Sequence, residues 1–293
     1  MGTSSAYGGP GGGTPLVPTW LGPDGGGDGP APTPPPDGEP APAVPRPPVP
    51  PAPTDRPIPA PPALSQRFTQ ARSNFTRFAG SGGSDRASLG RAVSGYVSTA
   101  SGGARTAAQR MGASRQAGTN LLSFLADVQA RGAAAALRSL NLSDLAGRPI
   151  DEVFLGIADY VCPNVGSVDE GIAREAFIET IIELSTLGVT DLDALTPAQM
   201  QTVFEMYATH AIEARLCNDI GTKLITAPAD AQTAALVQEQ LRDFIRNGVS
   251  DAFSEAQSGQ PPLTQDRVRG FVDDVYERAF SILKTLGDEE AEK

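Results

Sequence analysis

From residue 64 onward, apolar side chains recur every three or four positions, the spacing of a single buried helix face. Phe68, Ala71, Phe75 and Phe78 form the first such face, with Arg67, Arg72 and Arg77 around the other side, and the Gly/Ser cluster at 80–83 breaks it. Between 85 and 118, glycine and serine dilute the signal. Leu89, Val93, Tyr96 and Val97 leave one narrow stripe, which predicts weak helix. Leu121, Leu122, Phe124, Leu125 and Val128 predict a stronger one, which Gly132 interrupts before the alanines at 133–136 resume it. Pro149 suits the first turn of a helix running through Ile150, Val153, Phe154, Ile157, Ala158 and Val161, and Cys162-Pro163-Asn164 stops it.

The sharpest helix signals follow residue 167. Ser167 and Glu170 have the spacing of a capping box, and Ala173, Ala176, Phe177, Thr180, Ile181 and Leu184 then share a face as far as Gly188. Thr196, Pro197 and Gln199 repeat that start ahead of Val203, Tyr207, His210, Ala211 and Ala214. A helix from about Ala229 carries Leu236, Val237, Leu241, Phe244, Ile245, Val249 and Phe253; after a loop at 259–262, Thr264 caps the last, which carries Val268 through Leu286. Helices of this length joined by short loops predict an all-α body, a bundle of antiparallel helices. Sparse aromatics, 6% of residues, and abundant alanine agree with close helix packing.

The region before this body differs in kind. Twenty-one of the 27 prolines lie in the first 62 residues, where neither a helix nor a strand ladder is sustainable, so a long disordered Gly/Pro-rich N-terminal region is expected. Residues 22–62 read as an extended spacer, with Pro47-x-x-Pro50 as a possible proline-rich ligand. Residues 1–21 carry Tyr7, Leu16, Val17, Leu21 and the single tryptophan, Trp20, beside the glycines at 8–13. A plain linker has no use for such anchors, so this is read as a flexible arm. By composition the chain divides into arm (1–21), linker (22–62), an Arg-rich, partly helical region (63–148), an acidic helical bundle (149–287) and an acidic tail (288–293).

Charge supports that division. Residues 66–148 hold eleven arginines and three acids, a balance of +8, whereas 149–293 hold ten basic residues and 26 acids, a balance of −16. Arg67, Arg72, Arg77, Arg105, Arg110 and Arg115 are candidate contacts for nucleic-acid phosphates or for an acidic protein, this chain's own C-terminal half included. Base-stacking aromatics are nearly absent there beyond Tyr96, and no helix-turn-helix or zinc-finger spacing is visible. A solvated helix face accounts for the pattern equally well.

Enzyme chemistry finds little purchase. Cys162 and Cys217 stand 55 residues apart with no CxxC, and one histidine cannot complete a zinc set, so both are expected to be buried free thiols. His210 has only ordinary helix neighbours in Met206 and Glu213, which implies a structural role. Asp273-Asp274 and Glu289-Glu290 read as solvated acids, because adjacent residues on a helix diverge. The glycines at 8–13 lack the strand and GK[ST] of a nucleotide loop. No catalytic, cofactor or metal site is expected. No stretch is apolar enough to span a membrane and the start lacks a basic n-region, so a cytoplasmic protein is expected.

The start MGTSSAYGGPGGGTPLVPTWL, followed by the proline tract and the Arg-containing helices, resembles the QatB family of bacterial Qat anti-phage system associated proteins. The resemblance implies a non-enzymatic antiviral subunit. Its implied partners are a P-loop ATPase, a TatD-like nuclease and a QueC-like enzyme similar to 7-cyano-7-deazaguanine synthases. It also implies modification of the chain's N-terminal glycine by that enzyme. The residues suit such chemistry: Gly2 permits removal of Met1, and an α-amine with a reference pKa near about 8 is partly neutral at cellular pH. Thr3, Ser4 and Ser5 supply small polar contacts, and Tyr7 or Trp20 an anchor. Two other readings remain open, a nucleic-acid-binding adaptor through the arginines and a scaffold for the ATPase.

Overall fold

Among the described residues of the computed structural model, which are 67–163, 166–184, 186, 188–221, 230–258 and 265–293, there are eleven α-helices and no strand. The arm and linker, with Gly2, Thr3, Ser4, Ser5, Tyr7 and Trp20, lie outside the described residues, as do the 259–262 loop and Thr264. The helices are α1 (Thr69–Gly80), α2 (Arg86–Gly95), α3 (Ala104–Gln109), α4 (Gly112–Arg131), α5 (Ala133–Ser139), α6 (Ile150–Gly156), α7 (Ala158–Val161), α8 (Val168–Leu184), α9 (Pro197–Ile220), α10 (Ala231–Gln257) and α11 (Gln265–Ala291).

Their starts follow from local chemistry. Thr196 and Gln199 form the reciprocal capping box of α9, with Pro197 at the first helical position. Ser167 and Glu170 do the same ahead of α8. Asp85 accepts from the Ser88 amide at 2.9 Å to cap α2, and Asp230 accepts from the Thr233 amide at 2.8 Å to cap α10. Two further caps come from far along the chain. Asp169 Oδ2 accepts from the Ala113 amide at the start of α4, and Asp193 Oδ1 from the Ala133 amide at the start of α5, both at 2.7 Å. Gly132 at φ +83 turns the chain between α4 and α5.

One core unites the Arg-rich and acidic segments. Phe75, Phe78, Leu89, Tyr96, Met111 and Leu121 are buried in the same cluster as Phe154, Phe177, Phe204, Tyr207, Tyr276 and Phe280. Helix α9 is buried all round between Met206 and Glu213 and touches α8, α10, α4 and α1, which makes it the centre of the body. Helix α11 buries Val268, Val272, Val275, Tyr276, Ala279, Phe280 and Leu283 and runs against α2, α3, α4 and α10. The compositional boundary at 148/149 is therefore not a packing boundary.

Several expectations need correction. The 85–118 segment, read as weak helix, holds α2, α3 and the start of α4, with a π-helical turn at Tyr96–Ala100. Its glycines serve packing. A Cβ on Gly90 would stand 2.4 Å from the Gly287 carbonyl oxygen, and one on Gly287 would stand 2.8 Å from that of Gly90. For the same reason Gly287 does not end α11, which continues through the expected acidic tail to Ala291. Pro149 caps α6 from outside rather than occupying its first turn, and Ile157 divides the single helix expected there into α6 and α7.

Candidate functional site: charged networks and the cleft between α4 and α8

The six candidate arginines differ in exposure and in partners. Arg67, Arg77 and Arg105 are exposed, and Arg110 is half-buried. Arg72 lies over the Phe68 ring, 5.6 Å from its centroid, and its Nε donates to the Asp219 carbonyl at 2.8 Å. Arg115 pairs with Asp273 on α11. Arg86 reaches Glu290 at 4.0 Å, and Arg91 Nη1 donates to the Ala291 carbonyl at 3.4 Å. The basic segment thus meets the acidic one along α11 and at the end of α9.

Beneath Arg72 sits a buried polar chain. The Tyr96 hydroxyl, 1% exposed, donates to Asp219 Oδ2 at 3.0 Å, which also accepts from Arg215 Nε at 3.2 Å. Arg215 Nη1 stands 3.5 Å from Asp169 Oδ1, and Asp169 caps α4 through its other oxygen. Burial first, and the Asp219 charge second, push the Tyr96 hydroxyl well above the ordinary phenol range, so it stays a proton donor. This chain ties the π-helical turn after α2 to α9, α8 and α4.

A second network surrounds the single histidine. His210 is 3% exposed; its Nε2 lies 2.8 Å from Glu183 Oε2 on α8, and its Nδ1 3.8 Å from Glu213 Oε2. Each carboxylate also meets an arginine of α10, Arg246 to Glu183 and Arg242 to Glu213, both at 2.8 Å. Burial works to raise the Glu213 pKa, but nearby His210 and the hydrogen-bonded, positively charged Arg242 outweigh it and hold the carboxyl below its usual range. The expectation that His210 has only ordinary helix neighbours misses Glu183, 27 residues away. The i, i+3 spacing to Glu213 and the i, i+4 spacing of Arg215 and Asp219 were the legible parts of these networks.

Burial pushes the Cys162 thiol up to about 11 and, with the charges of Glu213 and Glu175, that of Cys217 up to about 12. Both cysteines are free, Cys162 buried and Cys217 partly so. No group of three or more His, Cys, Asp and Glu side chains is placed to hold a metal ion among the described residues. No described helix is long and apolar enough to cross a membrane. Next to the polar chain, α4 and the first turn of α8 enclose a cleft of about 250 Å³ lined by Ala113, Gln116, Ala117, Cys162, Asp169 and Ala173.

These features define a helical protein whose buried charges brace its helices. The sequence model of QatB, the Qat anti-phage system associated protein, matches residues 102–283, more than half of the chain, and the chain belongs to this family. The match spans α3 through most of α11 and leaves out residues 1–21, where the resemblance in sequence was strongest. No curated protein and no solved structure matches the chain.

Proposed function

We propose that this chain is a non-enzymatic, partner-binding subunit of a Qat anti-phage system, whose N-terminal arm is presented to a QueC-like enzyme and modified at Gly2. Family membership supports the defence role and points to other subunits of the system as partners. The observation that carries the finer reading is the sequence of the start itself: a glycine at position 2, small polar residues at 3–5, glycines within 8–13, and Tyr7 and Trp20 as candidate anchors ahead of a proline-rich stretch. A glycine α-amine is partly neutral at cellular pH and has no side chain to obstruct a deep pocket. The buried charges of the body accord with this division of labour, since Glu183, Glu213, Asp219 and His210 each contact other side chains of the fold. Intact mass of the chain co-produced with the other subunits tests the reading. A mass increase mapping to the Gly2 amine is expected, and an unmodified amine under those conditions overturns it.

The exposure of Arg67, Arg77 and Arg105 favours a second reading, a nucleic-acid-binding adaptor. Phosphate contacts strengthen as salt falls, so absence of DNA and RNA binding at low ionic strength removes this reading.

A further inference from the structure

The His210 network borders a small pocket of about 90 Å³ where α8, α9 and α10 meet. Glu175 and Glu179 of α8, Arg242 of α10, and His210, Glu213 and Cys217 of α9 line it. That volume is well below the roughly 300–1,000 Å³ of sites for whole small molecules, and it suits one polar head group on a short stem. The charge of the lining follows residue by residue. Arg242 and Glu213 neutralise one another through hydrogen bonds of 2.8 and 3.4 Å. Burial and the Glu213 charge push the Cys217 thiol up to about 12, so it adds none. Glu175 and Glu179 stand one turn apart on the same face of α8, and both are exposed. Neither makes a hydrogen bond or ion pair with a described residue. Three carboxylates against one guanidinium leave a balance of −2 around this one space.

Two exposed acids on a helix are ordinarily just solvated, and what distinguishes this pair is the buried imidazole lining the same pocket. His210 is 3% exposed. Its Nε2 donates to Glu183 at 2.8 Å, because an ionised carboxylate only accepts. Its Nδ1 makes no hydrogen bond with a described residue: Glu213 Oε2 is 3.8 Å away, beyond hydrogen-bond reach. A buried polar atom left in that condition costs free energy unless something entering the pocket meets it. No three ligating side chains are placed to hold a metal ion among the described residues, so the cation that fits is one that binds through hydrogen bonds. An ammonium group supplies a positive charge and N–H donors for several acceptors at once.

We propose that this pocket binds the ammonium group of a small organic amine. One N–H meets His210 Nδ1 and the others meet Glu175 and Glu179, while the carbon stem lies against Ala176 and Ala214, which also line the space. The site is separate from the arm and does not depend on modification of Gly2.

The test exploits the single histidine of the chain, whose ring C–H signals in a ¹H–¹³C spectrum of the full chain report this pocket alone. Titration with n-propylammonium at fixed pH and ionic strength should shift those signals saturably. Tetramethylammonium carries the same charge without an N–H and should bind at least about tenfold more weakly, as loss of charge-assisted hydrogen bonds implies. Combining Glu175→Gln with Glu179→Gln should weaken propylammonium by a similar factor of about ten. Both side chains are exposed and unpaired, so the thermal midpoint of that variant without amine should match the parent. No saturable shift, an equal response to tetramethylammonium, or unchanged affinity in the double variant overturns the proposal. Signals that ignore propylammonium but move when the other subunits are added also overturn it, since the occupant is then a side chain of a partner. Intact mass reads Gly2 separately, so the two proposals fail independently.

Discussion

Glu213 shows how a single side chain is held charged inside this body. It is 4% exposed, and its carboxylate is engaged by Arg242 from the next helix and by His210 on its own. Replacing Arg242 with alanine leaves that carboxylate buried without its main donor, which costs on the order of 1–3 kcal/mol. Urea unfolding at about pH 7 should show the loss as a lower midpoint at unchanged slope. Because the folded pKa of Glu213 is depressed, its stabilising contribution is present above the unfolded value of about 4.3 and disappears as pH falls through the folded value. Acid titration of the wild type should therefore lose stability below about pH 4, and Arg242→Ala should lose less over that interval. The thiols obey the opposite sign. With Cys162 near 11 and Cys217 near 12, both remain protonated at neutral pH. Iodoacetamide should label neither in the folded protein within a time that labels both in urea, as read by intact mass.

At the level of helices, glycine has two opposite meanings here. Gly90 and Gly287 let α2 and α11 touch backbone to backbone, and Gly90→Ala forces a methyl to within 2.4 Å of a carbonyl oxygen. Overpacking of that kind costs roughly 1–3 kcal/mol. Gly171, in the first turn of α8, is exposed and has nothing within 4 Å of its Cβ position. There alanine lowers backbone entropy without a clash and should stabilise by roughly 0.5–1 kcal/mol. Measured by thermal or urea unfolding, the two Gly→Ala changes should move the midpoint in opposite directions; agreement in sign would refute the packing role assigned to Gly90. Asp193→Ala removes the long-range cap on Ala133 and should cost about 1 kcal/mol, a loss that Asp193→Asn largely restores.

For the molecule as a whole, the helical body was legible because burial on one face imposes the 3.6-residue period wherever a helix lies at the surface of a core. α1, α10 and α11 show that period, and the caps at Ser167 and Thr196 stand three residues from their partners, so local chemistry places them. The membership of the Arg-rich segment in the same core was not legible. Its glycines and serines lower helix propensity and its arginines read equally well as a solvated face, and contact with α11 accounts for several of them: Gly90 against Gly287, Arg115 with Asp273, Arg86 with Glu290. His210 was equally opaque, because Glu183, Arg242 and Arg246 come from two other helices. The sequence by itself thus determined the helical class, the capped starts at Ser167 and Thr196 and the opposed charges of the two segments, because those depend on composition and on neighbours within a few residues. Only the tertiary structure decided which charges are enclosed as networks, which glycines are contacts and where the α4–α8 cleft opens, because those depend on what residues far apart in the chain bring to one place.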